Sequence, residues 1–235
     1  ERLGALDAAG RLDLEAPLRL ATWTRAHVVT HLARNADGHR RMIEGAARGE
    51  VLEQYVGGAQ GRIDEIEAGV GRAPAAMIVD LVESIAALEA AWSESDWVGF
   101  GIRTLAGESP IADLPFARVR EVALHSVDLD IGIELADLDP VYVRLELLRM
   151  EMLWKARQPM GMTPVPAAAL ALSPTDRIGW FTGRLAVDGL APACAKEAVG
   201  RASTALRTRL VARSGHAATS VRASASRSSS HMGLK

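Results

Sequence analysis

The segment WTRAHVVTHLARNA at residues 23–36 decides how the rest of this chain is interpreted. Mostly apolar residues recur in and just beyond it at intervals of three and four, which predicts one helix with a buried face. The residues of this face are Val28, Leu32, Ala36, His39 and Ile43. Thr22 or Thr24 is the predicted N-cap, and the helix is expected to end near residue 48.

A second segment, RVREVALHSVDL at residues 118–129, predicts another helix. Its predicted buried stripe consists of Val119, Val122, Ser126 and Leu129. Glu121 and His125 then lie one turn apart, and Asp128 follows them along the same side. Arg118 and Arg120 fit an ordinary solvated face.

These two helices carry side chains of the types that bind metals. On the first helix His27, His31 and Asn35 follow one another at steps of four. A histidine of one helix and a Glu-x3-His pair of another can form a set of three ligands with an open fourth position, as a catalytic zinc requires. The pattern alone leaves a second interpretation open, because single histidines are often core or surface residues and Glu-x3-His arises by chance.

Three segments resemble the mycothiol-dependent maleylpyruvate isomerase family, a branch of the DinB-like group of metal-binding four-helix bundles. They are WTRAHVVTHLARNADG at residues 23–38, RVREVALHSVDLDIG at residues 118–132 and, more weakly, WFTGRLAVDGL at residues 180–190. The resemblance covers most of residues 20–190. It implies that His31, Glu121 and His125 are the ligands of zinc or another divalent metal, the same three residues that the helical spacing selects.

The resemblance also implies a reaction, the conversion of maleylpyruvate into fumarylpyruvate. Mycothiol, a low-molecular-weight thiol, would add to the cis double bond and leave after rotation. An external thiol fits the chain, because its single cysteine, Cys194, is far in sequence from both motifs. Two alternatives stay open: a mycothiol S-transferase for detoxification, and a non-catalytic bundle that acts as a binding module.

The resemblance also points to Arg184 as a substrate residue, and helical spacing adds further candidates. A dicarboxylate substrate needs a cationic clamp, and Arg184 is the candidate catalytic residue, although it could equally be a surface residue after Gly183. Asn35 and Asp128 are candidate cofactor-site residues that orient the ligands, or polar residues of the helix surface. His27 is expected to pack or to form a hydrogen bond rather than to bind metal.

The predicted fold is mainly α-helical. We expect a DinB-like four-helix bundle in residues 1–138, a small C-terminal α/β region in residues 139–192 and a low-complexity tail in residues 193–235. Residues 96–115 are expected to be an irregular link that ends where the second ligand helix begins. Asp139 and Ser173, each followed by proline, should start two helices. Residues 163–172 fit an edge strand or a short helix, and residues 184–190 fit a strand.

Composition limits the location and the partners of the protein. Hydrophobic residues make up 49% and charged residues 24% of the 235, with no apolar run of membrane-spanning length and no secretory signal, so we expect a cytoplasmic protein. Residues 1–197 hold 20 basic and 29 acidic residues, whereas the segment after them is basic and rich in Ala and Ser. Such a tail should order poorly. We do not expect nucleic-acid binding, because no aromatic residue accompanies the basic charges.

Overall fold

The structure is a computed structural model that describes residues 1–193 except residues 19, 21 and 158–162. Its helices are α1 (Arg2–Ala8), α2 (Arg25–Ala47), α3 (Gly58–Gly69), α4 (Pro74–Glu94), α5 (Leu114–Asp128), α6 (Pro140–Lys155), α7 (Ala167–Leu170) and α8 (Pro174–Phe181). Two strands, β1 (Phe100–Arg103) and β2 (Gly107–Pro110), precede α5. The prediction of a mainly α-helical fold is confirmed. Among the described residues, no helix is both long and apolar enough to cross a membrane.

Helix α2 is the centre of the bundle. It packs against α3, α4, α5 and β1, and α1 packs against α4. Thr24, one of the two predicted candidates, is its N-cap, and the face that includes Val28 and Ala36 is fully buried. This boundary was predictable because a threonine before an amphipathic run is a local signal for a helix start.

A short β-hairpin occupies the segment that we predicted to be irregular. β1 pairs antiparallel with β2, and Phe100 lies opposite Pro110. Ile102 joins the hairpin to the segment after α2: its backbone N–H donates to the carbonyl of Leu52 at 2.9 Å, and its carbonyl accepts from Gln54 at 2.8 Å. Gly101 lets β1 lie directly on α2, because a Cβ at this position would be 2.8 Å from the Met42 side chain. The contacts that hold the hairpin against α2 and the segment after it are distant in sequence, so local patterns did not reveal its position.

The predicted buried stripe of α5 is wrong for its two valines. Val119 and Val122 are 45% and 40% exposed. The buried residues of the helix are Leu114, Ala117, Arg118, Leu124 and Asp128. The polar side of this helix faces the interior because it takes part in a network of hydrogen bonds, and the apolar spacing therefore indicated the wrong face. The helix ends at Asp128. Two residues later, Asp130 adopts a positive φ of 52°.

The region after α5 is helical in the part that the structure describes. Asp139 and Ser173 cap α6 and α8 with their side chains, as predicted. The segment at residues 167–170 is the short helix α7, one of the two predicted forms.

The strand predicted at residues 184–190 is wrong, and so is the α/β description of this region within the described residues. Gly183 has a positive φ of 74°. The backbone N–H groups of Arg184 and Leu185 both donate to the carbonyl of Gly179, so the chain turns back on α8. The division into domains stays a prediction, and the tail from Cys194 onward lies outside the described residues.

Candidate metal centre

The start of α2 is joined to the end of α5 by the Trp-Thr-Arg motif. Nδ1 of His27 accepts the backbone N–H of Thr24 at 3.0 Å, so this histidine has the structural role that we predicted. Nε of Arg25 donates to the carbonyl of Leu129 at 2.7 Å, and its Nη2 donates to the carbonyl of Asp130 at 2.9 Å. Carbonyl groups at a helix end lack partners within the helix, and Arg25 supplies them. The motif thus brings the two ligand helices together.

Trp23, the first residue of the motif, lies against both candidate histidine ligands. The centroid of its ring is 5.5 Å from that of His31 and 6.2 Å from that of His125. Contacts of this kind between aromatic rings restrict the orientation of both partners. The tryptophan therefore forms an apolar wall beside the two imidazoles, a role that its place in the motif did not reveal.

The three predicted ligands converge between α2 and α5. Nε2 of His31 lies 3.0 Å from Oε2 of Glu121, and Nε2 of His125 lies 3.4 Å from the same oxygen. One donor atom from each residue lies within 4.8 Å of the other two. Donors bound to one tetrahedral zinc at about 2.1 Å would be about 3.4 Å apart. The observed separations therefore fit a single ion.

Burial is the largest influence on the protonation of this cluster. It lowers the pKa of His31 to about 4, so this imidazole is neutral at neutral pH. Burial acts to raise the pKa of Glu121, but hydrogen bonds with His125 and His31 outweigh it and hold that pKa well below its usual value. Burial acts to lower the pKa of His125, but hydrogen bonds with Asp128 and Glu121 outweigh it and raise that pKa. A metal would thus displace a proton mainly from His125.

Asp128 connects the candidate metal centre to the chain after α8. Its Oδ2 lies 2.8 Å from Nδ1 of His125, which leaves Nε2 of this imidazole directed at Glu121. Arg184 donates to both oxygens of the same carboxylate, from Nε at 2.9 Å and from Nη2 at 2.5 Å. A carboxylate that holds the second nitrogen of a histidine fixes its tautomer and orientation. The predicted role of Arg184 as a clamp for the substrate stays a prediction. Its observed contacts favour another role, in which Arg184 holds Asp128 and Asp128 in turn orients His125.

Two arginines of α5 that we interpreted as solvated are instead engaged in the interior. Nη1 of Arg118 donates to the carbonyl of Leu32 and to Oδ1 of Asn35, both at 2.8 Å. Nε of Arg120 donates at 2.8 Å to Oε1 of Glu146, a residue with no exposed surface. Asn35 therefore helps to fix α5 on α2, and its predicted role in orienting the ligands stays a prediction.

Two residues of the segment between α2 and α4 complete the site, and sequence patterns did not reveal either. Arg62 on α3 lies over the ring of Trp23 at 5.5 Å, and its Nη2 is 3.4 Å from Nδ1 of His31. Tyr55 is 2% exposed, and its hydroxyl is near enough to Asn35 to interact with that side chain. Burial raises the pKa of this phenol to about 12, so it remains a hydrogen-bond donor at all physiological pH values.

Comparisons with known proteins relate the chain to one family. A family model described as "Mycothiol maleylpyruvate isomerase N-terminal domain" matches residues 2–130. A crystal structure of the mycothiol-dependent maleylpyruvate isomerase is similar to the chain with a TM-score of 0.61 and 27% sequence identity. A histidine-to-alanine mutant of that enzyme gives 0.60 and 26%. Each match covers 66% of this chain and 65% of the other, slightly less than two thirds of that protein's length. A search of curated proteins found no significant match.

Proposed function

The chain belongs to the mycothiol maleylpyruvate isomerase N-terminal domain family, and we propose that it is a mycothiol-dependent cis–trans isomerase that converts maleylpyruvate into fumarylpyruvate. The observation that carries the proposal is the convergence of His31, Glu121 and His125 on one point. The residues present fit a divalent metal, since two imidazoles and a carboxylate with an open fourth position form a catalytic donor set. When bound, zinc would promote deprotonation of a coordinated thiol and polarise a substrate oxygen.

The proposed reaction uses the thiol as a temporary nucleophile. Its sulfur forms a bond to one carbon of the cis double bond, and the electron pair of that bond moves onto the conjugated carbonyl oxygen. The carbon–carbon bond, now single, rotates. Return of the electron pair re-forms the double bond in the trans arrangement and breaks the carbon–sulfur bond, so the thiol is regenerated.

The chain's own residues prepare the site for this reaction. Glu121 is ionised and His31 is neutral at neutral pH because of their shifted pKa values. We propose that Asp128 and Arg184 act as positioning residues, because together they fix the ring of His125. Trp23 excludes water on the side where it contacts the imidazoles. The proposed thiolate would then meet its acceptor in a site of reduced polarity, where electrostatic interactions are stronger.

Arg62 is the cation that we propose for one carboxylate of the acceptor. Among the described residues no carboxylate forms an ion pair with it, and its guanidinium contacts Nδ1 of His31 at 3.4 Å. A neutral His31 that bound an ion through Nε2 would carry its proton on Nδ1 and could not accept from Arg62. Occupation of the site would therefore break this contact and leave the guanidinium available to an anion.

The test compares the full chain with an isosteric ligand variant, Glu121→Gln. The wild-type protein should bind about one divalent ion and isomerise maleylpyruvate only when mycothiol is added. Glu121→Gln should lose both properties, because an uncharged amide is a poor metal ligand. Glu89→Gln, on the exposed face of α4, is the matched control and should keep both.

Three results would contradict the proposal. Isomerisation that does not need mycothiol would remove the thiol from the mechanism. Reaction of mycothiol with a chlorinated aromatic electrophile, without any turnover of maleylpyruvate, would identify the S-transferase alternative. A chain that binds no metal would favour the non-catalytic binding module.

A further inference from the structure

Helix α6 carries large apolar residues on two faces, and within the described residues only one of these faces is covered. Its inner face packs on α5 and α8 and includes the buried residues Tyr142, Val143 and Glu146. Its outer face carries four exposed apolar side chains, those of Val141, Leu145, Leu148 and Met152. Leu148 and Met152 are 63% and 62% exposed. A continuous apolar surface of this kind marks a site of interaction with another molecule.

The four residues of the outer face have the spacing of a coiled coil. They follow one another at steps of four, three and four residues, so they form one stripe along the helix. Two such stripes interlock when two helices lie side by side, each side chain entering a gap in the facing helix. Leu148 and Met152 also line an open groove that continues to Lys155 and Ala156. The outer face therefore has space for the side chains of a second helix.

We propose that the outer face of α6 is the interface of a homodimer, in which α6 packs antiparallel on α6 of a second copy of the chain. A two-fold axis makes such an interface self-complementary, because every contact occurs twice. With Leu145 of one copy opposite Leu148 of the other, Val141 lies opposite Met152. The stripe is then covered along its whole length. The ends of the two helix dipoles that lie side by side also have opposite sign.

The charges beside the stripe favour a second copy as the occupant and the antiparallel direction for it. Arg144 and Glu151 lie on the same side of the stripe, seven residues apart. In the antiparallel pair each Arg144 faces Glu151 of the other copy, so opposite charges meet twice. In a parallel pair Arg144 would instead face Arg149 of the other copy, and like charges would meet twice.

Both charged residues are placed to make this contact. Arg144 is exposed and forms neither a hydrogen bond nor an ion pair with any residue that the structure describes. Oε1 of Glu151 accepts from Nη1 of Arg177 at 3.1 Å, which holds the carboxylate beside the groove. A carboxylate can accept several hydrogen bonds, so this contact still allows Arg144 of the second copy to bind.

The size of the interface sets the expected affinity. Helix α6 has 16 residues, and a helix of that length is about 24 Å long. The contact of one such helix pair lies near the lower end of the areas that specific complexes bury, about 1,200 Å² in total. We therefore expect a reversible dimer with a dissociation constant on the order of 10 μM.

Sedimentation equilibrium of the full chain, at concentrations on both sides of that value, tests the dimer. The average mass should rise with concentration from 25.0 kDa towards twice that value. Leu148→Glu should weaken the association by roughly tenfold or more, because it places a charge at the centre of the interface. Val82→Glu, at an exposed valine of α4, is the matched control and should associate like the wild type. Melting curves at low concentration, where every variant is monomeric, verify that both variants fold.

A mixing experiment tests the antiparallel pairing. Arg144→Glu and Glu151→Arg should each weaken association by roughly tenfold, since each brings like charges together twice. An equimolar mixture of the two variants should associate about as well as the wild type. In the mixed dimer both contacts again join an arginine to a glutamate. The loss of the contact between Glu151 and Arg177 is the same with and without mixing, so it does not affect this comparison.

Three results would overturn the inference. A wild-type chain that stays monomeric at every concentration has no such interface. If Leu148→Glu then also lowers the melting temperature of the monomer, the C-terminal segment of the same chain covers the face instead. A dimer that Leu148→Glu leaves intact uses another surface. A mixture that stays as dissociated as its two components refutes the antiparallel pairing.

Discussion

Helices α2 and α5 both supply metal-ligand candidates, but different forces hold them. Helix α2 is enclosed by α3, α4, α5 and β1, and its core residues have almost no exposed surface. Helix α5 contributes a polar inner face, and its residues Val119 and Val122 are exposed. Packing therefore fixes His31, whereas hydrogen bonds fix the ligands on α5. Substitutions in α2 should thus change the free energy of unfolding, and substitutions in the network of α5 should change metal affinity.

The largest expected effect is on α2. Met42 has no exposed surface and packs directly on Gly101 of β1. Met42→Ala should lower the free energy of unfolding by about 2–5 kcal/mol, because it removes a buried side chain and leaves a cavity. Denaturant unfolding of the metal-free chain measures this. Val82→Ala, at a position 59% exposed on α4, should change the value by less than about 0.5 kcal/mol. Equal effects of the two variants would show that α2 is not held by packing.

The histidines of the two helices should respond to pH in opposite directions. Burial lowers the pKa of His31 to about 4 and that of His39 to about 3, so the folded state binds fewer protons than the unfolded state. Their stabilising contribution is therefore lost as the pH falls below about 6.5. The pKa of His125 is raised, so its contribution is present below its unfolded pKa and is lost as the pH rises through its folded pKa.

Unfolding of the metal-free chain at pH 5 and pH 7.5 separates these contributions. For His31 and for His39 the loss at the lower pH should be about 2 kcal/mol each. His39→Gln should reduce the difference between the two pH values, and His125→Gln should increase it. A pH dependence that His39→Gln leaves unchanged would mean that this imidazole is already charged, or accessible, in the folded state.

The next effect concerns the network that holds α5. Asp128→Asn removes the negative charge that fixes His125 and pairs with Arg184. Metal affinity should fall by at least about tenfold, equivalent to about 1.4 kcal/mol, as is typical when the partner of a metal-bound histidine is lost. Competition with a metal chelator measures this. Asp130→Asn, two residues away at a side chain 78% exposed, should leave the affinity unchanged. A similar affinity for both variants would remove Asp128 from the site.

The same contrast explains which parts of the fold could be predicted from the sequence. Helix starts at Thr24, Asp139 and Ser173 were predictable, because caps depend on residues within one turn. The buried face of α2 was predictable, since its core is apolar. The buried face of α5 was not predictable from the sequence. Apolar spacing cannot identify an inner face that includes charged residues joined by hydrogen bonds.

Residues that act through tertiary contacts left no pattern to find. Arg62 is a single arginine that no motif distinguishes, and only folding places it beside the ligands. Residues 184–190 resembled a strand, but the pairing of Arg184 with Asp128 and the turn at Gly183 direct this segment elsewhere. The ligand candidates themselves were predictable, because Glu121 and His125 lie one turn apart and His31 belongs to a motif.

The smallest expected effect lies on the outer face of α5. Val119→Thr and Val122→Thr keep the shape and the branched side chain, and both positions are substantially exposed. Each should change the free energy of unfolding by less than about 0.5 kcal/mol and leave metal affinity unchanged. Leu124→Thr on the buried face, where Leu124 is 4% exposed, is the reference and should destabilise the chain clearly. A large loss of stability in either valine variant would indicate that another surface covers the outer face of α5, and the hydrogen bonds of its inner face could then not be its main support.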